Sequence, residues 1–105
     1  TAKSAFPFMS SKGGSLLTLS YLGAERTTPN YNVMGVAKSA LEASIKYLAM
    51  DLGKNKIRFN GLSAGPVKTL AGAAISGARH VYRYSESVAP LKFNPELNEI
   101  GNSAL

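Results

Sequence analysis

Two tyrosines and a lysine lie close together in the segment SYLGAERTTPNYNVMGVAK, residues 20–38. Tyr21 follows an apolar run, and Lys38 comes seven residues after Tyr31. Seven residues are almost two helical turns, so in a helix both side chains would project from one face, about 10 Å apart. An ammonium group beside a phenol can stabilise a developing phenolate or enolate and can donate hydrogen bonds to hydroxyls. On spacing alone, a surface tyrosine and lysine that happen to share a face is the alternative interpretation.

The elements that would position these groups can be predicted from the apolar pattern. Short apolar runs bounded by turn residues predict strands at about 15–20 and about 56–63, of the kind buried in a parallel sheet. Between them, a long helix is predicted from about 30 to 52, with Gly53 as its stop signal. Strand, helix and strand in this order form a βαβ unit, which is almost always right-handed and builds parallel sheets.

The flanking segments predict further helices. Residues 1–11 are typical of the end of a helix, and short helices interrupted by Gly72 and Gly77 are predicted to form a substrate lid at about 69–90. Another helix is expected at about 95–105, with Asn94 as N-cap and Pro95 at its first position. Because an open parallel sheet needs more than two strands, residues 1–105 are expected to be part of one larger α/β domain.

The long helix has more apolar surface than one sheet can cover. A helical wheel at roughly 100° per residue puts Tyr31, Lys38 and Glu42 on a polar arc and leaves an apolar arc of about 200°. A surface helix usually needs an apolar stripe only somewhat wider than 100°. Small residues such as Ala37 and Ala40 would allow a second element to approach closely. A partner subunit, and hence a homo-oligomer, is therefore expected.

Composition limits the classes of function. The 105 residues contain no cysteine and one histidine, which excludes disulfides, thiolate metal sites and histidine-rich metal sites, so no metal is predicted. The formal net charge is +6, but the basic residues are spread along the chain, which indicates a solvated surface and no nucleic-acid partner. Without a roughly 20-residue apolar run or a signal-peptide core, no membrane association is expected, and the predicted location is the cytoplasm. The missing initiator Met suggests a processed chain or a piece of one.

Together, SYLGAER, the Tyr31–Lys38 spacing and SAGPVKTLA closely resemble bacterial enoyl-acyl-carrier-protein reductase. That family is a divergent branch of the short-chain dehydrogenase/reductase superfamily. Most of the superfamily uses Tyr-x-x-x-Lys, whereas this branch uses Tyr-x6-Lys, and Gly35 occupies the position of the common lysine. The resemblance covers most of residues 13–71. It implies a Rossmann-like, doubly wound parallel sheet with helices on both faces, of which this chain is the C-terminal part.

The resemblance also implies roles for individual residues. Tyr31 would be the catalytic phenol that hydrogen-bonds the thioester carbonyl, and Lys38 would hold the hydroxyls of the nicotinamide ribose. Tyr21 would be a second catalytic tyrosine facing the acyl chain, and Met34 would lie near the substrate. The implied reaction transfers a hydride from NADH to the β-carbon of a trans-2-enoyl thioester in fatty-acid biosynthesis, with NADPH as the alternative cofactor.

The segment after the second strand is implied to contact the cofactor. In doubly wound folds, ligands bind beyond the carboxyl ends of the strands. The residues assigned to this contact, besides Lys38, are Gly65, Pro66, Val67, Lys68, Thr69, Leu70 and Ala71. Taken alone, SAGP could equally be an ordinary strand-ending turn. The implied partner is the acyl carrier protein that carries the substrate, and the implied assembly is a homotetramer.

Two alternatives stay open at this point. One is another short-chain dehydrogenase/reductase that acts on a carbonyl substrate. The other is a non-catalytic fragment, because the Gly-rich turn that cradles the pyrophosphate in the family is not among these residues. For the same reason, the 105 residues alone are expected to be inactive. The basic residues Arg79, Arg83 and Lys92 are either solvated or form a rim that attracts the acidic carrier protein.

Overall fold

The structure, a computed structural model, describes residues 1–73 and 77–105. Residues 74–76 belong to the predicted lid at about 69–90 and lie outside the described residues. Two strands and five helices follow one another in the described residues: α1 (Ala2–Met9), β1 (Gly14–Ser20), α2 (Asn32–Gly53), β2 (Ile57–Ser63), α3 (Leu70–Ala73), α4 (Ala78–Val88) and α5 (Leu97–Ser103). A short 3-10 helix, Leu22–Ala24, lies between β1 and α2. No helix of the described residues is both long and apolar enough to cross a bilayer.

The two strands form a parallel pair connected through α2. Their register runs from Gly14 opposite Ile57 to Ser20 opposite Ser63, so both strands begin and end side by side. The α/β class and the parallel sheet predicted from the apolar runs are thus confirmed. Because parallel strands share one carboxyl edge, the residues after Ser20 and Ser63 emerge next to each other.

Helix α2 packs on the sheet through residues spaced three and four apart. Leu41, Ile45, Leu48 and Leu52 are half-buried on this side. Gly61 of β2 makes room for Ile45, because a Cβ atom at Gly61 would lie 2.7 Å from Ile45 Cδ1. This spacing is what an amphipathic helix needs to cover one face of a sheet.

The remaining surface of α2 divides into two parts. The arc containing Lys38 and Glu42 is also half-buried, because it faces the carboxyl end of β1. The opposite side, here called the outer face, consists of Val33, Val36, Ala37, Ala40, Ala43, Ser44 and Tyr47, all exposed. Exposed fractions of 79% for Val33 and 74% for Tyr47 show how much apolar surface it presents.

The start of α5 differs from the sequence prediction. The helix begins at Leu97, and its N-cap is Glu96 rather than Asn94. Glu96 and Glu99 form a capping box, in which the Glu96 backbone N–H donates to Glu99 Oε2 at 2.8 Å. Asn94 instead donates through Nδ2 to the backbone carbonyl of Tyr82 at 2.9 Å. A reciprocal cap satisfies two of the free N–H groups at a helix start, which explains why Glu96 takes the position.

Candidate active site

A cavity of about 280 Å³ lies beyond the carboxyl ends of the two strands. Its walls come from the end of β1, the beginning of α2, the segment after β2, and helices α3, α4 and α5. Seven of the residues assigned to catalysis or to binding from the sequence line it: Tyr21, Tyr31, Lys38, Gly65, Pro66, Val67 and Thr69. The fold therefore brings together groups that are up to 48 positions apart, from Tyr21 to Thr69.

The two tyrosine rings of the cavity are in direct contact. Tyr21 leaves the end of β1, and Tyr31 is the N-cap residue of α2. Their ring centroids are 5.1 Å apart and their planes are inclined at 62°, which is an edge-to-face arrangement. This geometry is one of the favourable arrangements for aromatic pairs. Each ring therefore limits the positions that the other can adopt.

The surroundings of Tyr31 affect its protonation. Burial raises the pKa of the Tyr31 phenol above its ordinary value of 10.0, and the neighbouring Tyr21 raises this pKa further. Both effects disfavour the phenolate. The hydroxyl consequently stays protonated at neutral and mildly alkaline pH, and it can donate a hydrogen bond to an acceptor in the cavity.

Lys38 is anchored to β1. Its ammonium group donates to the backbone carbonyl of Leu19 at 2.6 Å, which holds the positive charge at the carboxyl end of the strand. An ammonium group has three N–H donors. The others are therefore available to acceptors in the cavity that Lys38 lines.

The loop between the two tyrosines is tied to α2. Ser39 Oγ donates to the carbonyl of Ala24 at 2.7 Å and also lies 3.0 Å from the carbonyl of Gly35. Gly23 passes so close to the tyrosines that a Cβ atom there would lie 2.5 Å from Tyr31 Cδ1 and 3.3 Å from Tyr21 Cδ1. The loop thus packs directly against the two tyrosine rings, and a residue without a side chain is needed at position 23.

The segment after β2 forms the opposite wall. Gly65, Pro66, Val67 and Thr69 line the cavity, and Thr69 Oγ1 accepts a hydrogen bond from the Gly72 backbone at 3.0 Å. The other three residues assigned to cofactor contact lie outside this lining. Lys68 borders a neighbouring surface cavity, whereas Leu70 and Ala71 are exposed. Their roles stay predictions.

Met34 is not among the predicted site residues that line the cavity. It is 49% exposed and does not appear among the described residues that line the cavity. It lies on α2 three residues after Tyr31. The substrate contact predicted for Met34 therefore stays a prediction.

Sequence reasoning missed several residues of the site. Tyr82 of α4 lines the cavity and donates its hydroxyl to the carbonyl of Val67 at 3.1 Å. Val81, Leu97 and Ile100 add apolar wall. The signal that could have indicated Tyr82 is weak, since it is one of two tyrosines in the polar run RHVYRYSES and nothing in the run distinguishes it from Tyr84. Its partner is 15 positions away, and no local pattern predicts such a pair.

We expect Gly23→Ala to lower the rate of any reaction that uses Tyr31. The added methyl group would overlap the Tyr31 ring, and displacing a reacting group by about 1 Å can reduce rates by about a hundredfold. The measurement is kcat of the full-length protein, with its unfolding midpoint recorded in parallel. Gly101→Ala is the matched control, because a Cβ atom at Gly101 meets nothing within 4 Å. Equal kcat values for the two variants would contradict the described ring positions.

Comparison with known proteins places this arrangement in context. The family model described as Enoyl-(Acyl carrier protein) reductase matches residues 1–105. The enoyl-[acyl-carrier-protein] reductase [NADH] 1 of Rhizobium meliloti is 58% identical over 93 residues, which are 89% of this chain and 34% of the relative. The corresponding NADH reductase of Nostoc is 53% identical over 100 residues, which are 95% of this chain and 38% of the relative. The chain thus spans about a third of the length of these curated relatives.

Solved structures give the same result. The Bacillus cereus enoyl-acyl carrier protein reductase with NADP+ and indole naphthyridinone superposes with a TM-score of 0.93 at 48% identity, covering 98% of this chain and 40% of that chain. The reductase of Anaplasma phagocytophilum in complex with NAD gives a TM-score of 0.86 at 50% identity, covering 98% of this chain and 36% of that chain. The fold of these residues is therefore that of a segment of these enzymes.

Proposed function

Because the chain belongs to the enoyl-(acyl carrier protein) reductase family, we propose that the full-length protein reduces trans-2-enoyl-acyl-carrier-protein thioesters with NADH. The reaction would be a step of fatty-acid biosynthesis. The observation that carries the proposal is the convergence of Tyr21, Tyr31 and Lys38 on one cavity beyond the carboxyl ends of two parallel strands. This edge is where ligands bind in doubly wound folds.

The residues of the cavity fit the nicotinamide end of a dinucleotide. Lys38 offers N–H donors beside the carboxyl end of β1, and these donors could bind the hydroxyls of a ribose. Gly65 lets a ligand approach the backbone, and Pro66 and Val67 supply an apolar surface for a flat ring. When bound, the reduced nicotinamide supplies the hydride. Lys38, Gly65, Pro66, Val67 and Thr69 are the residues that would hold it, and Lys68, Leu70 and Ala71 are proposed as further contacts.

Tyr31 is proposed as the group that activates the thioester. Addition of a hydride to the β-carbon moves negative charge onto the thioester oxygen, and a proton then adds to the α-carbon. A donor already aimed at that oxygen lowers the barrier because it needs no reorganisation as the charge forms. The raised pKa of Tyr31 keeps its hydroxyl protonated for this role. Tyr21, in edge contact with Tyr31, would fix the ring and face the acyl chain.

Two surfaces suit the proposed partners. Arg79 and Arg83 are exposed on α4 next to residues that line the cavity, Lys92 is exposed just after α4, and these basic residues could attract an acidic carrier protein. The outer face of α2 is apolar, exposed and rich in small residues, which suits contact with a second copy in a homotetramer. The cytoplasm is proposed as the location, since that is where the substrate carrier would be met.

The deciding experiment measures NADH oxidation by the full-length protein with crotonyl and longer enoyl thioesters. We expect oxidation with enoyl substrates and much slower oxidation with the matching 3-oxoacyl thioesters, which carry a carbonyl in place of the double bond. NADPH is compared with NADH, because the Bacillus cereus neighbour was solved with NADP+. Faster turnover of the 3-oxoacyl thioester would overturn the proposal in favour of a carbonyl reductase.

A further inference from the structure

The last residue of β1 has an unusual environment. Ser20 is 7% exposed and is the one buried polar residue among residues 1–73 and 77–105. A buried hydroxyl needs a hydrogen-bond partner, because leaving it without one is costly. The partner is Glu42 of α2, whose Oε1 accepts from Ser20 Oγ at 2.5 Å. Neither residue belongs to the predicted reacting groups.

A second hydrogen bond between α2 and the end of β1 lies beside this one. Lys38, one turn before Glu42 on α2, donates to the carbonyl of Leu19 at 2.6 Å. Two positions of the helix that are four residues apart therefore hold two consecutive residues of the strand. Tyr21 is the next residue of the chain, so its backbone directly follows two consecutive residues that are both hydrogen-bonded to α2.

Helix α2 also carries the other half of the tyrosine pair. Tyr31 is its N-cap residue, and its ring lies 5.1 Å from that of Tyr21. The relative position of the rings is thus determined by how the end of β1 sits on α2. The Ser20–Glu42 hydrogen bond is the one side-chain to side-chain bond between these two elements in the described part of the chain.

We propose that Glu42, acting through Ser20, is a positioning residue that holds Tyr21 in register with Tyr31. The expected effect on the reaction rate rests on the proposed reductase function. The effect on the position of the Tyr21 ring does not, because it can be observed without turnover. Loss of the acceptor leaves the Ser20 hydroxyl buried without its partner, and the strand end can then relax away from the helix. Tyr21 would move relative to Tyr31 while the cofactor contacts of Lys38 stay in place.

Kinetics of the full-length protein provide the first test. We expect Glu42→Ala to lower kcat for enoyl thioesters about tenfold, with the KM for NADH nearly unchanged. Glu42→Gln keeps an oxygen that can accept from Ser20, so it should restore kcat to within about twofold. Lys46→Ala, one turn further along α2 at an exposed position, is the control. Equal loss in Glu42→Ala and Glu42→Gln, or no loss in either, would overturn the proposal.

A double-mutant cycle identifies the residue through which Glu42 acts. In a Tyr21→Ala background, the ring that Glu42 is proposed to position is absent. If Glu42 works by placing that ring, Glu42→Ala should cost far less in this background than in the wild type. The same loss in both backgrounds would contradict the assignment, because Glu42 would then act on something other than Tyr21.

A fluorine signal tests the geometry without any turnover. With 3-fluorotyrosine at position 21, the ¹⁹F resonance reports the contact with the Tyr31 ring. It should shift or broaden in Glu42→Ala and stay unchanged in Glu42→Gln. Ser20→Ala removes the hydroxyl that donates this hydrogen bond, and it replaces Glu42→Ala in the test if that variant fails to fold. An unchanged resonance in the variants that lack the bond refutes the positioning role, whereas absence of enoyl reduction in the wild type refutes only the proposed function.

Discussion

Replacement of Tyr31 by Phe is expected to lower kcat for enoyl thioesters by about a hundredfold or more, with NADH affinity nearly unchanged. The substitution removes one hydroxyl and keeps the ring that packs on Tyr21 at 5.1 Å. The lost hydrogen bond would form mainly in the transition state, where charge accumulates on the thioester oxygen, so kcat should fall more than substrate binding. The measurement is the rate of NADH oxidation by the full-length protein at saturating substrate.

Tyr84→Phe is the matched control for this variant. Tyr84 is 62% exposed and is not among the described residues of the cavity. The same loss of one hydroxyl should therefore leave kcat at the wild-type value. Full turnover in Tyr31→Phe would show that Tyr31 does not stabilise the oxyanion. A large drop in both variants would point to a general loss of folded protein, which a denaturation curve recorded in parallel would reveal.

Replacement of Lys38 by Met is expected to weaken NADH binding about a hundredfold. Met has a similar length but no charge and no N–H donors. A hydrogen bond to a charged group contributes about 1.5–3 kcal/mol, so the loss of one such bond to a ribose hydroxyl is enough for a change of about a hundredfold. The contact that Lys38 makes with the Leu19 carbonyl is lost as well, which loosens the strand end. The measurement is a titration of the full-length protein with NADH, followed by fluorescence.

Lys46→Met provides the control for Lys38. Lys46 is on the same helix, two turns further on, and is exposed. It should bind NADH as the wild type does, which separates a local effect from a change in net charge. If Lys38→Met keeps wild-type NADH affinity, the ammonium group does not hold the ribose. The two large predictions also differ in kind, because Tyr31→Phe should change turnover and Lys38→Met should change cofactor binding.

The sequence was sufficient for the local parts of the fold. Apolar runs with turn residues at their ends predicted two parallel strands, because a strand buried on both faces is a short, nearly continuous apolar segment. The spacing of Tyr31 and Lys38 placed both on one helical face, since helix geometry is the same in every sequence. The combination of these residues with SYLGAER and SAGPVKTLA identified the enoyl reductase family, which the comparisons confirmed.

The predicted start of α5 was less accurate, because two nearby residues could each cap the helix. Asn94 has the residue type of an N-cap, yet Glu96 caps α5 through its reciprocal bonds with Glu99. The Asn94 side chain instead donates a hydrogen bond to the backbone carbonyl of Tyr82, which lies 12 positions earlier. A cap prediction compares only neighbouring residues and cannot weigh such a distant partner.

Residue type and spacing predicted the long helix and the two strands, and the resemblance to a known family was needed to single out the tyrosine and lysine pair. Only the tertiary structure decided that Tyr21 meets Tyr31, that Lys38 reaches Leu19, and that Ser20 is buried against Glu42. The last two contacts join residues 19 and 22 positions apart. Contacts between residues this far apart form when a helix packs on a sheet. They depend on the packing of whole elements, so no periodic pattern in the sequence predicts them.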